Sequence, residues 1–97
     1  MSEMLGKHHF EPLVGKTVHV KGTRFSFPLS RIITMEKAFP TAMRDPFILI
    51  FRAPRENEYL PEGSYECAFE DGPTYEIYVA PAHTPEREWQ DYQAIFN

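Results

Sequence analysis

Nine prolines and five glycines interrupt every long window of this 97-residue chain, so a helix of ordinary length has nowhere to run undisturbed. The stretches between them mostly alternate with period two, the spacing of side chains on a half-buried strand. Thr17-Val18-His19-Val20-Lys21 and Arg24-Phe25-Ser26-Phe27 flank Gly22-Thr23, a Gly-X pair suited to a two-residue hairpin turn. In that register Val20 faces Phe25 and Val18 faces Phe27 on one surface, while His19 faces Ser26 on the other. The second strand is expected to continue through Leu29, Ile33 and Met35, with Pro28 and Arg31 marking an edge position or a bulge.

Phe10-Glu11-Pro12-Leu13-Val14-Gly15 fits one short helical turn ended by Gly15. Residues 36 to 45 read as a connecting loop anchored by Phe39 and Met43. Phe47-Ile48-Leu49-Ile50-Phe51 is apolar at every position. It is either a central strand covered on both faces or an aggregation-prone segment restrained by Arg44, Asp45 and Arg52. Ala53 to Glu62 reads as a polar loop, with Leu60-Pro61-Glu62-Gly63 as a tight turn. Tyr65, Cys67 and Phe69 then alternate along a strand. A three-residue loop, Asp71-Gly72-Pro73, would set Phe69 against Tyr75, Cys67 against Ile77 and Tyr65 against Val79, keeping the apolar residues on one face. Thr84-Pro85-Glu86 suits a capped single helical turn, and Tyr92, Ala94 and Phe96 alternate along a last strand. The expected fold is mainly β, a small antiparallel β-barrel or sandwich of about six strands with a short N-terminal helix. Residues 10–97 would form this single domain behind a polar segment, residues 1–9.

Fourteen acidic residues against ten basic ones give a formal charge of -4, the opposite of the basic stripe that a phosphate backbone attracts, so nucleic acid is not an expected partner. The run Phe47 to Phe51 falls far short of the roughly 20 residues a membrane helix needs, and no membrane association is expected. No basic region followed by an apolar stretch opens the chain, which argues against a signal peptide and for the cytoplasm unless another machine exports the protein. With one cysteine, Cys67, an internal disulfide is excluded.

His8 and His9 are adjacent, which aims their rings apart, and His19 and His83 are isolated in sequence. None has metal-ligand spacing, so neither a metal nor another cofactor is expected. Cys67 lies between Tyr65 and Phe69 on the face assigned to the core, where a thiol packs as a small hydrophobe and its pKa rises. Neither a nucleophile elbow nor a glycine-rich phosphate loop is present. Glu66, Glu70 and Glu76 share the polar face of the second hairpin with Tyr78, as a solvated surface or as a docking face for a basic partner. A hydrolase using Cys67 or a carboxylate such as Glu66 is the enzymatic alternative to a chain that does no chemistry.

The runs Phe10-Glu11-Pro12-Leu13-Val14-Gly15, Arg44-Asp45-Pro46-Phe47-Ile48-Leu49-Ile50-Phe51-Arg52-Ala53-Pro54, Leu60-Pro61-Glu62-Gly63-Ser64-Tyr65, Tyr78-Val79-Ala80-Pro81 and Tyr92-Gln93-Ala94-Ile95-Phe96-Asn97 together resemble a family of short bacterial proteins known only as a domain of unknown function. The resemblance implies core roles for Phe10, Leu13, Phe47, Leu49, Phe51, Tyr65, Tyr92 and Phe96, and backbone requirements at Gly15 and Gly63. It marks Arg44 and Arg52 as polar motif positions that bind something, unless Arg52 braces a loop through bidentate hydrogen bonds. Lys7-His8-His9 departs from the acidic or polar residues usual there. The resemblance also suggests a context of phage-tail-like collar or fibre proteins. The resulting expectation is a non-enzymatic protein-interaction or structural module, an accessory of a phage-tail-like or filament assembly. It would act on a protein partner through sheet edges and the surface around Tyr78, with Arg44, Arg52, Glu66, Glu76 and Tyr78 as partner-binding residues. The alternative is a small-ligand-binding β-barrel with its pocket between the short helix and the sheet. Oligomeric state is left open.

Overall fold

The computed structural model describes residues 5–35 and 46–97; the expectations for Phe39, Met43 and Arg44 lie outside them. In chain order, helix α1 (Lys7–Phe10) runs into a 3-10 turn (Glu11–Leu13), followed by β1 (Thr17–Val20), β2 (Ser26–Thr34), β3 (Phe47–Pro54), β4 (Gly63–Phe69), β5 (Thr74–Ala82) and β6 (Trp89–Phe96). The strands close an antiparallel barrel in the order β1-β2-β3-β6-β5-β4. Each strand carries one apolar face, and closure turns all of these onto a shared interior that includes Val18, Val20, Phe27, Leu29, Leu49, Phe51, Cys67, Ile77, Val79 and Tyr92. No helix among the described residues is long and apolar enough to cross a membrane.

The first hairpin has the expected register, with Val18 opposite Phe27 and His19 opposite Ser26. Val20 N–H donates to the Phe25 carbonyl at 3.0 Å, and Gly22 takes the left-handed φ of 80° that the turn requires. A bulge follows between Leu29 and Arg31. It lets β2 leave β1 and join β3, and it corrects the expected alternation. The extra residue flips the pattern, so Ile32 packs against the core while Ile33 is 37% exposed.

β3 is the central-strand alternative, held between β2 and β6. Its inward residues Phe47, Leu49 and Phe51 are fully buried, and even the outward Ile50 is only 7% exposed. Ile33, Ile48 and Ile95 stand opposite one another across β2, β3 and β6 on the outer face.

The second hairpin corrects the expected pairing. Cys67 faces Tyr75, Tyr65 faces Ile77 and Gly63 faces Val79. The loop is Glu70-Asp71-Gly72, still three residues but starting one residue earlier. Asp71 takes the left-handed turn position with φ 52°. Gly72 N–H then donates to the Phe69 carbonyl, and Phe69 N–H to the Pro73 carbonyl, both at 3.0 Å. Pro73 therefore serves as the first residue of the return despite lacking an N–H. The slip moves the pairing by an even number of residues, so every side chain keeps its expected face.

The helix begins at Lys7, inside the polar segment expected to precede the domain, and the His9 ring accepts the Gly6 N–H at 2.9 Å. Gly15 ends the helical entry as expected, with φ 91°. Thr84, expected to cap a helical turn, instead bridges the β5–β6 connection. Its hydroxyl donates to the Ala82 carbonyl at 3.0 Å and accepts Asp91 N–H at 2.8 Å. At Leu60-Pro61-Glu62-Gly63 the chain bends without closing the expected tight turn.

β3 and β4 lie three positions apart around the barrel, so the connecting residues 55–62 must cross one mouth. Leu60, 1% exposed, fills that mouth. Phe10, with no exposed surface, fills the other, its ring centroid 5.3–6.2 Å from those of Phe47, Phe69, Tyr75 and Phe96.

Candidate functional site

The mouth crossed by residues 55–62 is held rigidly. Arg24, on the β1–β2 turn, reaches across it to Glu56 at 2.9 Å and Glu58 at 3.0 Å, with its guanidinium 4.7 Å over the Phe25 ring. On the other side Arg55 donates to the Thr84 carbonyl at 3.1 Å and to the Glu86 carbonyl at 3.4 Å, and its backbone N–H donates to the Glu88 carbonyl at 2.9 Å. Beneath the crossing, Leu60 N–H donates to the Tyr92 hydroxyl at 2.9 Å. Burial pushes the Tyr92 phenol above its usual pKa of 10.0, which keeps it neutral in this role. Tyr65 fixes the exit of the segment by donating to the Pro61 carbonyl at 2.6 Å.

Fastened in this way, the segment forms one wall of a solvent-open groove of about 510 Å³ lined by Tyr59, Pro61, Glu62, Pro81 and Gln90. Pro81 comes from the end of β5 and Gln90 from the start of β6. The Gln90 amide nitrogen donates to the carbonyls of Ala82 at 3.2 Å and Asp91 at 2.9 Å, which leaves its amide oxygen as an acceptor. Glu62 accepts the Tyr78 hydroxyl proton. That hydrogen bond pushes the Tyr78 phenol above its usual 10.0, so it stays a protonated donor. Tyr59 is 60% exposed and Tyr78 56%, so two aromatic rings stand in water next to a carboxylate.

Of the residues expected to bind a partner, Glu66, Glu76 and Tyr78 come together on the outer face of β4 and β5, with Ser64 opposite Tyr78 and Glu66 opposite Glu76. Facing carboxylates repel, and each has its own relief: Lys21 lies 3.8 Å from Glu66, and Ser64 donates to Glu76 at 3.1 Å. Arg52 stands apart, on β3. Its Nε and Nη2 grip both oxygens of Asp91 at 2.7 and 3.0 Å, Nη2 reaches Glu86 at 3.4 Å, and its guanidinium lies 5.6 Å over the Trp89 ring. This bidentate grip ties β3 to β6 and to the β5–β6 connection, the bracing role left open by the sequence. Tyr59, Pro61, Glu62, Pro81 and Gln90 were not singled out from sequence. The available signal was Tyr59, an aromatic residue in an otherwise charged and polar loop.

Cys67 is 1% exposed inside the barrel, and burial pushes its thiol from 9.0 up to about 11. The folded state thus favours the protonated thiol. This contribution to stability is fully present below pH 9 and lost as pH rises to about 11, a loss of about 2–3 kcal/mol. Denaturation midpoints across that window should fall more steeply for the parent than for Cys67→Ala, and a thiol reagent should label the native protein only as fast as it unfolds. Labelling at the rate of a free cysteine would overturn the assignment. Phe10 itself occupies the space between the helix and the sheet, where a small-ligand barrel was expected to hold its pocket. Among the described residues no three His, Cys, Asp or Glu side chains are grouped to hold a metal ion.

These features define a class: a small closed antiparallel barrel with a solid interior and a fixed groove on one capped mouth. Within it, the chain belongs to the family described as domain of unknown function DUF6916, whose pattern matches residues 5–96. No curated protein and no solved structure matches the chain.

Proposed function

We propose that this domain is a non-enzymatic protein-interaction module whose docking surface is the groove bounded by Tyr59 and Glu62, continued onto Tyr78. The observation that carries this reading is the contrast between the two parts of the molecule. The interior is filled by packed side chains, whereas at the crossed mouth the exposed Tyr59 ring stands in the same groove as Glu62, whose carboxylate holds the exposed Tyr78. Exposed aromatics on a rigid support are the usual anchors of protein contacts. Among the described residues every strand of the closed barrel has a neighbour on both sides, which puts the weight on the Tyr78 surface rather than on sheet edges. A structural protein of a phage-tail-like or filament assembly is the partner class to test first.

The test compares recovery of partners from the native host by the parent, Tyr78→Ala and Glu62→Lys. Both sites are exposed, so folding stability should change by only about 0.5 kcal/mol. The expected result is a partner retained by the parent and reduced by roughly tenfold or more in each variant, as loss of an interfacial anchor produces. No partner, or one indifferent to both substitutions, would overturn the proposal.

A further inference from the structure

Resting on that reading, we infer that the groove takes a proline-rich segment carrying an arginine or lysine. The lining sets the chemistry. Its walls are the rings of Tyr59, Pro61 and Pro81, and its polar groups are the Glu62 carboxylate and the Gln90 amide oxygen. Among the described residues Glu62 is the one charged residue in the lining, in a chain of formal charge -4. Two basic residues at this end of the barrel are already engaged: Arg24 by Glu56 and Glu58, and Arg55 by the Thr84 and Glu86 carbonyls. An anionic ligand would meet the Glu62 carboxylate, and among the described residues no basic side chain lines the groove to offset it. A basic one meets Glu62 directly, beside an acceptor from Gln90.

The shape of the segment follows from the ring walls. A polyproline II helix presents flat pyrrolidine faces and needs no backbone N–H partners, so it suits a site built of rings and acceptors. It is also extended before binding, which lowers the entropy lost on docking. The groove matches it in rigidity, since hydrogen bonds from Arg24, Arg55, Leu60 and Tyr65 hold the wall in place. Tyr78, bonded to Glu62, extends the aromatic surface beyond the groove.

The experiment titrates the isotopically labelled chain with three synthetic peptides and follows backbone amide resonances. One is an oligoproline with a central arginine, the second the same peptide with glutamate in place of arginine, and the third a glycine-serine peptide with the same arginine. The first should perturb Tyr59, Glu62 and Gln90 and bind roughly tenfold or more tightly than either control. Tyr59→Ala should weaken it by roughly tenfold, and Glu62→Gln should remove most of its preference over the glutamate peptide. The amide spectrum of each variant reports its folding directly.

Equal binding of the glycine-serine peptide would overturn the proline specificity. Absence of binding, or perturbations confined to Ile33, Ile48 and Ile95, would overturn the site. If the peptides fail while partner recovery still depends on Tyr78 and Glu62, the peptide chemistry alone is wrong. If both fail, the interaction reading falls with it.

Discussion

Phe10→Ala should destabilise the protein by about 3–5 kcal/mol, the range for removing a fully buried aromatic ring from a core. Phe10 has no exposed surface and touches four other aromatic rings, contributed by β3, β4, β5 and β6. It is also the one residue of α1 that is buried. A four-residue helix has no stability of its own, so the entry segment is held to the barrel by packing, in which this ring is joined by Leu5 and Leu13. The substitution thus leaves a cavity at one mouth and loosens the segment that closes it. For a small domain whose total stability is on the order of 5–15 kcal/mol, that is a large fraction. Urea denaturation would measure it as a lower midpoint with a similar slope. A loss below about 1 kcal/mol would mean that the mouth repacks without the ring.

The fold was legible where local chemistry and burial pointed the same way. In the first hairpin the Gly22-Thr23 turn and the Val18, Val20, Phe25 and Phe27 alternation admit one pairing, and it is the pairing observed. In the second hairpin, burial specifies only the face of each residue. Registers two residues apart satisfy it equally, and the choice fell to Asp71, which adopts a left-handed backbone that its sequence context did not announce. The bulge in β2 was signalled by Pro28 and Arg31. Its effect on Ile32 and Ile33 was not, because it depends on β2 changing neighbours between β1 and β3.

The candidate site was legible only in part, for a related reason. Glu66, Glu76 and Tyr78 share a face because they share a hairpin, and a hairpin can be folded on paper. The groove collects residues 59, 61, 62, 81 and 90 from a loop and two strands, and their meeting depends on strand order. Once β3 and β4 lie three positions apart, the loop between them must cross the mouth, bringing Tyr59 and Glu62 to the ends of β5 and β6. Arg52 shows the converse. Its motif position was visible, but its partner Asp91 is directly opposite only because β3 pairs with β6.

Leu60→Ala should cost about 2–5 kcal/mol, as truncation of a buried leucine does when its site cannot collapse. Collapse is resisted here because the crossing segment is fastened on both sides, by Arg24 to Glu56 and Glu58 and by Arg55 to the β5–β6 connection. Tyr92→Phe should cost about 1–3 kcal/mol by another route, since it leaves the buried Leu60 N–H without an acceptor. The two substitutions act on one mouth, so their costs should not add. Once Leu60→Ala has admitted water, the orphaned N–H finds a partner and Tyr92→Phe loses much of its effect. The neighbouring Tyr59→Ala, at a side chain 60% exposed, should change stability by no more than about 0.5 kcal/mol. A double-mutant cycle in urea, with amide exchange at Tyr59 and Glu62 as a local readout, separates these effects. Full additivity would show that Leu60 and Tyr92 do not seal the mouth together, and the groove above them would lose its rigid floor.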